Sequence, residues 1–287
     1  KHNLDLIGFA KAWLLSLFNW GRIVHITGGA NYMVLAFPFQ RRVITIHDFF
    51  HLKGDSKSIV YRLLYYKLPM EFAHKIVVVS DRTLADLKRM FPKMVNKTAV
   101  IRNPLTIVPS KEPLIRENPP RKPEKILQIG CKPHKNFHRL FKACEGLDVE
   151  LLLVHGYTTG LDELLDSHGL KDRTWVYSNL SKQELIDLYK EADLLYFASL
   201  DEGFGLPLLE AQAMRLPIIT SDIEPMVSIA PEAILVNPWA DSEIKNAVEQ
   251  FIEKGFAPEH LEKAAQRLHA FAPSKIAKLY EQLYEQL

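Results

Sequence analysis

Two glutamates, Glu202 and Glu210, bracket the run Gly203-Phe204-Gly205-Leu206-Pro207-Leu208-Leu209 in the second half of this 287-residue chain. Carboxylates placed so close together can accept strong hydrogen bonds from a polyol. The two glycines let a ligand approach the backbone with no Cβ in the way. The apolar run Leu194–Phe197 just upstream predicts a strand. Pro207 suits a first helical position, so a helix should open near it. The amides of Phe204, Gly205 and Leu206 would then face an anion or sugar hydroxyls at the positive end of that helix. On composition alone the simpler reading makes Glu202 a surface loop acid and Glu210 a solvated helix residue.

A second constellation, Gly130-Cys131-Lys132-Pro133-His134-Lys135-Asn136, closes the apolar run Ile126–Ile129. Asn136 is a favoured capping type, and a helix is predicted from Phe137 to Cys144. Lys132 and Lys135 are badly placed beside a helix start, where the macrodipole already presents about half a positive charge. A bound diphosphate reverses the sign of that interaction; without one they are a solvated pair.

These groups need elements to hold them. Buried strands are predicted at 22–27, 43–46, 75–79, 126–129, 149–154, 194–197 and 218–220. Amphipathic segments at 58–68, 81–90, 137–144, 181–190 and 208–214 lie between them. This alternation predicts parallel sheets covered by helices. Ser80 and Ser181 are placed as helix caps, and Glu184 completes a capping-box spacing. Prolines 104, 109, 113, 119, 120 and 123 interrupt the pattern. Proline removes donors and fixes φ, so this stretch reads as a linker. The predicted division is a first domain at 1–105, a linker at 106–121 and a second domain at 122–272. The helical stripe at 273–287 is assigned to packing back on the first domain.

Hydrophobic residues make up 47 % and charged residues 24 %, as in globular chains that keep a solvated surface. No apolar run approaches the roughly 20 residues that span a bilayer. Cys131 and Cys144 are the only cysteines, which excludes a disulfide framework and points to a reducing cytoplasm. Residues 1–105 carry 16 Lys/Arg against 6 Asp/Glu, whereas the remainder carries 20 against 28. A basic half joined to an acidic half suits anionic lipid, nucleic acid or an anionic acceptor on the first half, or is unequal surface decoration.

The stretch Glu202-Gly-Phe-Gly-Leu-Pro-Leu-Leu-Glu210-Ala-Gln-Ala, followed by Pro217-Ile-Ile-Thr-Ser221, resembles the signature of glycosyltransferase family 4. The resemblance covers most of the chain from about Arg22. It implies an α/β fold of GT-B type, with two Rossmann-like domains whose parallel sheets face a cleft. In that family the first glutamate contacts the donor sugar and the second the nucleotide ribose. Lys135-Asn136 matches the phosphate-binding lysine position. Gly130 ends the preceding strand, and Cys131 stands where many members have arginine, so Lys132 would have to replace that contact. Ser178 and Asn179 are similar to the nucleobase border. His47 matches a histidine that approaches the donor sugar, although a lone histidine at a strand end is more often structural. Thr27, Gly28, Gly29 and Asp48 fall where family strands open toward the acceptor side. Arg215 replaces a usual glycine after the Glu210 helix. The family's opening strand and glycine-rich loop have no counterpart before Arg22, so the first domain reads as incomplete, and residues 4–20 read as a helix.

The resemblance implies transfer of a sugar, with retention, from a GDP- or UDP-sugar to a hydroxyl acceptor. Bacterial polysaccharide, lipopolysaccharide or glycolipid synthesis is the implied setting. Lys135, Glu202 and His47 are the catalytic candidates; no metal or other cofactor is expected beyond the nucleotide-sugar co-substrate. The acceptor would be a glycan or a lipid-linked glycan. A cytoplasmic enzyme, peripheral on the inner membrane face through its basic half, is the expected location, with no nucleic-acid partner. A sugar-nucleotide epimerase of the same fold and a non-catalytic nucleotide-sugar or glycan-binding subunit are the alternatives.

Overall fold

The computed structural model describes residues 5–52, 59–107, 124–154 and 160–287. The chain divides into two compact units, Lys1–Asn103 with Pro273–Leu287, and Pro104–Ala272. Residues 108–123, which hold most of the proline-rich stretch, lie outside the described residues.

The first unit is built on four parallel strands, β1 (Ile23–Ile26), β2 (Arg41–Ile46), β3 (Lys75–Val78) and β4 (Thr98–Val100), which lie side by side in sequence order. β4 was not expected from the sequence: it is three residues long, without an uninterrupted apolar run. One face packs on Val34, Phe49, Tyr66, Met70 and Leu87. The other is covered by the helix Pro273–Glu285, whose Ile276 and Leu283 meet Val43, Val77 and Ile101. His25 of β1 adds a polar tie between its ring and the hydroxyls of Tyr284 (2.7 Å) and Thr45 (2.8 Å).

The predicted amphipathic helix over 58–68 is corrected. Ser58 lies outside the described residues; from there the chain runs as a short α-turn Ile59–Arg62, a π-helical stretch Leu63–Lys67, and a helix Leu68–Phe72. Pro69 explains the widening, because it offers no N–H and its ring crowds the preceding turn. The N-terminal helix runs Leu6–Ser16, shorter than the 4–20 expected. Several apolar side chains of this region stand in the open, including Leu6, Ile7, Phe18 and Trp20. No helix among the described residues is long and apolar enough to cross a membrane.

The second unit has six parallel strands. They are β5 (Glu124–Ile129), β6 (Val149–Val154), β7 (Thr174–Tyr177), β8 (Leu194–Phe197), β9 (Ile218–Ser221) and β10 (Ile234–Val236), in spatial order β10-β9-β8-β5-β6-β7. From β5 the chain first builds outward through β6 and β7, then returns to β8 on β5's other side. The boundary between β5 and β8 is therefore the point where winding reverses, and the loops at its carboxyl end diverge to open a crevice. Both faces of this sheet are apolar, as parallel sheets require, with Leu151, Leu153, Tyr196 and Phe141 fully buried. Ser181 caps the helix Lys182–Glu191 in a complete capping box with Glu184, and Ser80 caps Asp81–Met90 by accepting from the Thr83 amide.

Candidate functional site

The two motif loops meet at the winding reversal. β5 delivers Gly130–Asn136 and β8 delivers Ala198–Gly205. His134, Lys135 and Asn136 tie the first loop to the second. The Leu200 amide donates to the His134 carbonyl at 2.8 Å. Asn136 Nδ2 donates to the carbonyls of Ala198 (3.0 Å) and Pro238 (2.7 Å). Lys135 Nζ donates to Glu202 Oε1 at 2.6 Å. β9 braces the same end, since Thr220 donates to the Phe197 carbonyl and Ser221 to the Ser199 carbonyl.

Lys135 reaches Glu202 because Gly130 makes room. Gly130 has φ +86°, and a Cβ there would lie 3.2 Å from both Cγ and Cε of Lys135. The lysine stem arcs over the glycine, and its ammonium sits 4.6 Å above the Phe197 ring. Both partners of the ion pair are largely shielded, with 17 % and 13 % of their side chains exposed. A shielded cation on an aromatic face, beside a strand end, is chemically able to receive a phosphate oxygen in place of its carboxylate partner.

Asn136 does not cap its helix. It adopts the left-handed conformation (φ 60°, ψ 26°) and makes no side-chain cap bond. Its amide group is spent on the two carbonyls above and its Oδ1 on Arg139, and it is 2 % exposed. A ligand therefore finds no free side-chain group on Asn136; its work is to staple the loops. Cys131 is packed into the core, and burial pushes its thiol up to about 12. The position where the family resemblance leads one to expect arginine thus turns inward here, and Lys132 beside it is exposed.

The helix after the second loop runs Leu206–Ala213, one residue earlier than expected, with Pro207 at its second position. Gly205 precedes it with φ +104° and, having no side chain, leaves the helix start without a side-chain cap. Pro207 carries no N–H and the Leu208 amide donates to the Gly205 carbonyl at 3.0 Å, so the Leu206 amide is the one this first turn can offer an anion or hydroxyl. Gly203 and Phe204 complete the turn; Phe204 is buried, its ring 6.2 Å from that of Phe271. Glu210 is only 9 % exposed and is not a solvated helix residue. Its carboxylate accepts from Thr106 Oγ1 at 2.6 Å and from the Tyr189 hydroxyl at 2.8 Å. Neither partner stood out in the sequence: Tyr189 belongs to an ordinary apolar stripe, and Thr106 opens the proline-rich stretch.

Ser178 and Asn179 lie exposed in the turn after β7, at the far side of β6 from the Lys135 loop. With strands about 4.8 Å apart, two strand spacings separate the β7 end from β5. They border the site rather than join the Lys135–Glu202 pair.

The remaining candidates belong to the first unit. His47 Nε2 contacts the Thr27 carbonyl at 2.8 Å, tying the ends of β2 and β1. Asp48 accepts from the Phe50 amide at 2.9 Å. Gly28, Gly29, His47 and Asp48 line a cavity of about 180 Å³ together with Asn31, Tyr61 and Tyr65. The rings of Tyr61 and Tyr65 stack at 4.5 Å. Asn31 is 6 % exposed and its Oδ1 has no partner, an orphaned acceptor in the wall of that cavity. No sequence signal singled out Asn31 or the tyrosines.

The family described as glycosyl transferases group 1 matches residues 111–268. The chain is 27 % identical over 219 residues to the O-antigen chain mannosyltransferase RfbU of Salmonella typhimurium, covering 73 % of this chain and 60 % of that protein. It is 25 % identical over 245 residues to the O-antigen chain mannosyltransferase B of Escherichia coli, covering 74 % and 61 %. The chain thus spans about 60 % of the length of these two relatives. Among solved structures, that of Anabaena Alr3699/HepE in complex with UDP and glucose superposes with a TM-score of 0.78 at 16 % identity, covering 100 % of this chain and 84 % of that one. The fold is the two-domain α/β arrangement with parallel sheets called GT-B-like.

Proposed function

Starting from a chain that belongs to the glycosyl transferases group 1 family, we propose a nucleotide-sugar-dependent glycosyltransferase of the family 4 type. It moves a sugar, with retention, to a hydroxyl of a glycan or lipid-linked glycan in bacterial surface polysaccharide synthesis. The observation that carries this reading is the 2.6 Å pairing of Lys135 with Glu202 at the β5/β8 winding reversal.

The reaction breaks the bond from C1 of the sugar to the diphosphate oxygen and forms one from C1 to the acceptor oxygen. The acceptor proton passes to the departing phosphate oxygen on the same face. Charge grows on the diphosphate as the first bond breaks. Lys135 and the Leu206 amide at the start of Leu206–Ala213 are the groups placed to stabilise it. Glu202 exchanges its lysine partner for sugar hydroxyls, and Glu210 receives the ribose. With the lysine and the positive helix end supplying the charge, no metal is assigned to the step. His47 and the cavity holding Gly28, Gly29 and Asp48 present the acceptor side.

The mannosyltransferase relatives favour a mannosyl donor. The basic first half and the open apolar side chains of the N-terminal helix favour the anionic inner face of the cytoplasmic membrane as its place of work. A thermal-shift series with GDP, UDP, GDP-mannose and UDP-glucose tests the donor site, because a ligand that binds only the folded state raises its midpoint. Proton NMR of the product against the donor then reports retention or inversion. If no diphosphate moves the midpoint, the donor site assigned here does not exist.

A further inference from the structure

The Glu210 carboxylate is fixed by two hydroxyls from outside its own helix. Thr106 Oγ1 holds Oε1 at 2.6 Å and Tyr189 holds Oε2 at 2.8 Å. Both are charge-assisted bonds, stronger than neutral ones. Tyr189 sits fully buried on the helix Lys182–Glu191. Burial, and then the neighbouring Glu210 charge, raise its phenol well above the ordinary value, so it remains a donor. Thr106 is itself exposed, but Leu105 and Ile107 on either side are buried. The Leu105 amide also donates to the Phe271 carbonyl at 2.9 Å. The threonine is thus presented from an anchored stretch of backbone.

A carboxylate offers about four acceptor sites, two on each oxygen. With one hydroxyl bound to each oxygen, one site remains on each. That is a bidentate acceptor, matched to two adjacent hydroxyls. A glutamate left to rotate would have to be ordered when the ligand arrives, and the ordering would weaken binding. We propose that Thr106 and Tyr189 are positioning residues that pre-set the Glu210 carboxylate to receive the two ribose hydroxyls of the donor nucleotide. The proposal rests on the reading of Glu210 as the ribose ligand.

The test measures Kd by calorimetry on the full chain, for GDP and UDP and for their 2′,3′-dideoxy counterparts. Thr106→Val keeps the shape and removes the hydroxyl; Thr106→Ser restores it. The wild type should bind one ribonucleotide at least about tenfold more tightly than its dideoxy form, since a hydrogen bond to a charged group is at stake. In Thr106→Val that ratio should fall toward one, with dideoxy binding unchanged, and Thr106→Ser should recover it. A ratio that Thr106→Val leaves unchanged or increases overturns the proposal. A wild-type ratio near one, or one that Glu210→Gln does not alter, overturns the ribose assignment instead. Tyr189→Phe repeats the test on the other oxygen with its unfolding midpoint measured alongside. A lowered midpoint with the ratio intact makes Tyr189 a packing residue only.

Discussion

On the proposed reading Lys135 and the two glutamates carry separate duties, which single substitutions can separate. Lys135→Ala removes the cation proposed to stabilise the leaving diphosphate, so transfer should slow by about 10²-fold or more in single-turnover assays. The fold should be retained, with at most a modest loss from the unpaired Glu202, since the ammonium packs on Phe197 and Glu202 at the site. A variant of full activity with a lowered melting point would reverse that assignment. Glu210→Ala should weaken nucleotide binding by about 1.5–3 kcal/mol, the worth of a hydrogen bond to a charged group. Glu202→Ala should instead lower kcat more than it raises the donor KM. Identical kinetic patterns for the two would show that they do not divide the donor between them. At this scale the sequence was informative about residue type and poor about surroundings. Glu202, Glu210 and Lys135 stood out by type and spacing. That Glu210 is buried, or that the Asn136 amide is consumed by two carbonyls, depends on residues up to about a hundred positions away. Spacing along the chain holds no record of such contacts.

At the scale of elements, the long buried strands were legible because parallel sheets need continuous apolar runs. β4 and β10 were not, because they are edge strands of three residues each, mostly only part-buried, too short to write an apolar run. Pro69 was visible at the end of the predicted 58–68 helix, and weighing its missing N–H would have foretold the π-turn. Arg215 shows the converse. It follows the helix Leu206–Ala213 with φ +49°, in the left-handed region that favours glycine. Its guanidinium recovers part of the strain by pairing with Glu262 at 3.1 Å, an exposed contact of small value. Arg215→Gly should therefore raise stability by about 0.5–1 kcal/mol in urea titrations. A loss of stability would mean that the Glu262 pair outweighs the backbone. His25 gives the fold a pH dependence of known sign. Burial lowers its ring from 6.5 to about 4, so the neutral form is the one that holds Tyr284 and Thr45. The unfolded chain takes up its proton at higher pH than the folded one. The stability it confers is complete above pH 6.5 and is lost as pH falls toward 4. Urea midpoints at pH 7, 5.5 and 4 should decline in that order, and less steeply in His25→Gln; equal slopes would exonerate His25.

The whole molecule joins a first half of 16 basic and 6 acidic residues to a remainder of 20 and 28. If the basic half meets anionic lipid, sedimentation with phosphatidylglycerol vesicles should be strong at low salt and weak at high salt, with little binding to neutral vesicles. Binding indifferent to lipid charge would take the membrane out of the account. The charge division was plain in the sequence, whereas the apolar side chains left open on Leu6, Ile7 and Ile59 were not, because an apolar stripe reads the same whether it is covered or bare.

The order in which the chain is made has a consequence of its own. The second unit is a continuous stretch, Pro104–Ala272, while the first is completed only by Pro273–Leu287. As the polypeptide leaves the ribosome, the sheet face bearing Val43, Val77 and Ile101 must wait for the helix that will cover it. The second unit, by contrast, can acquire its core while that face is still bare. A nascent chain arrested before Pro273 should present a compact, protease-resistant second unit attached to a first unit that is still readily cut.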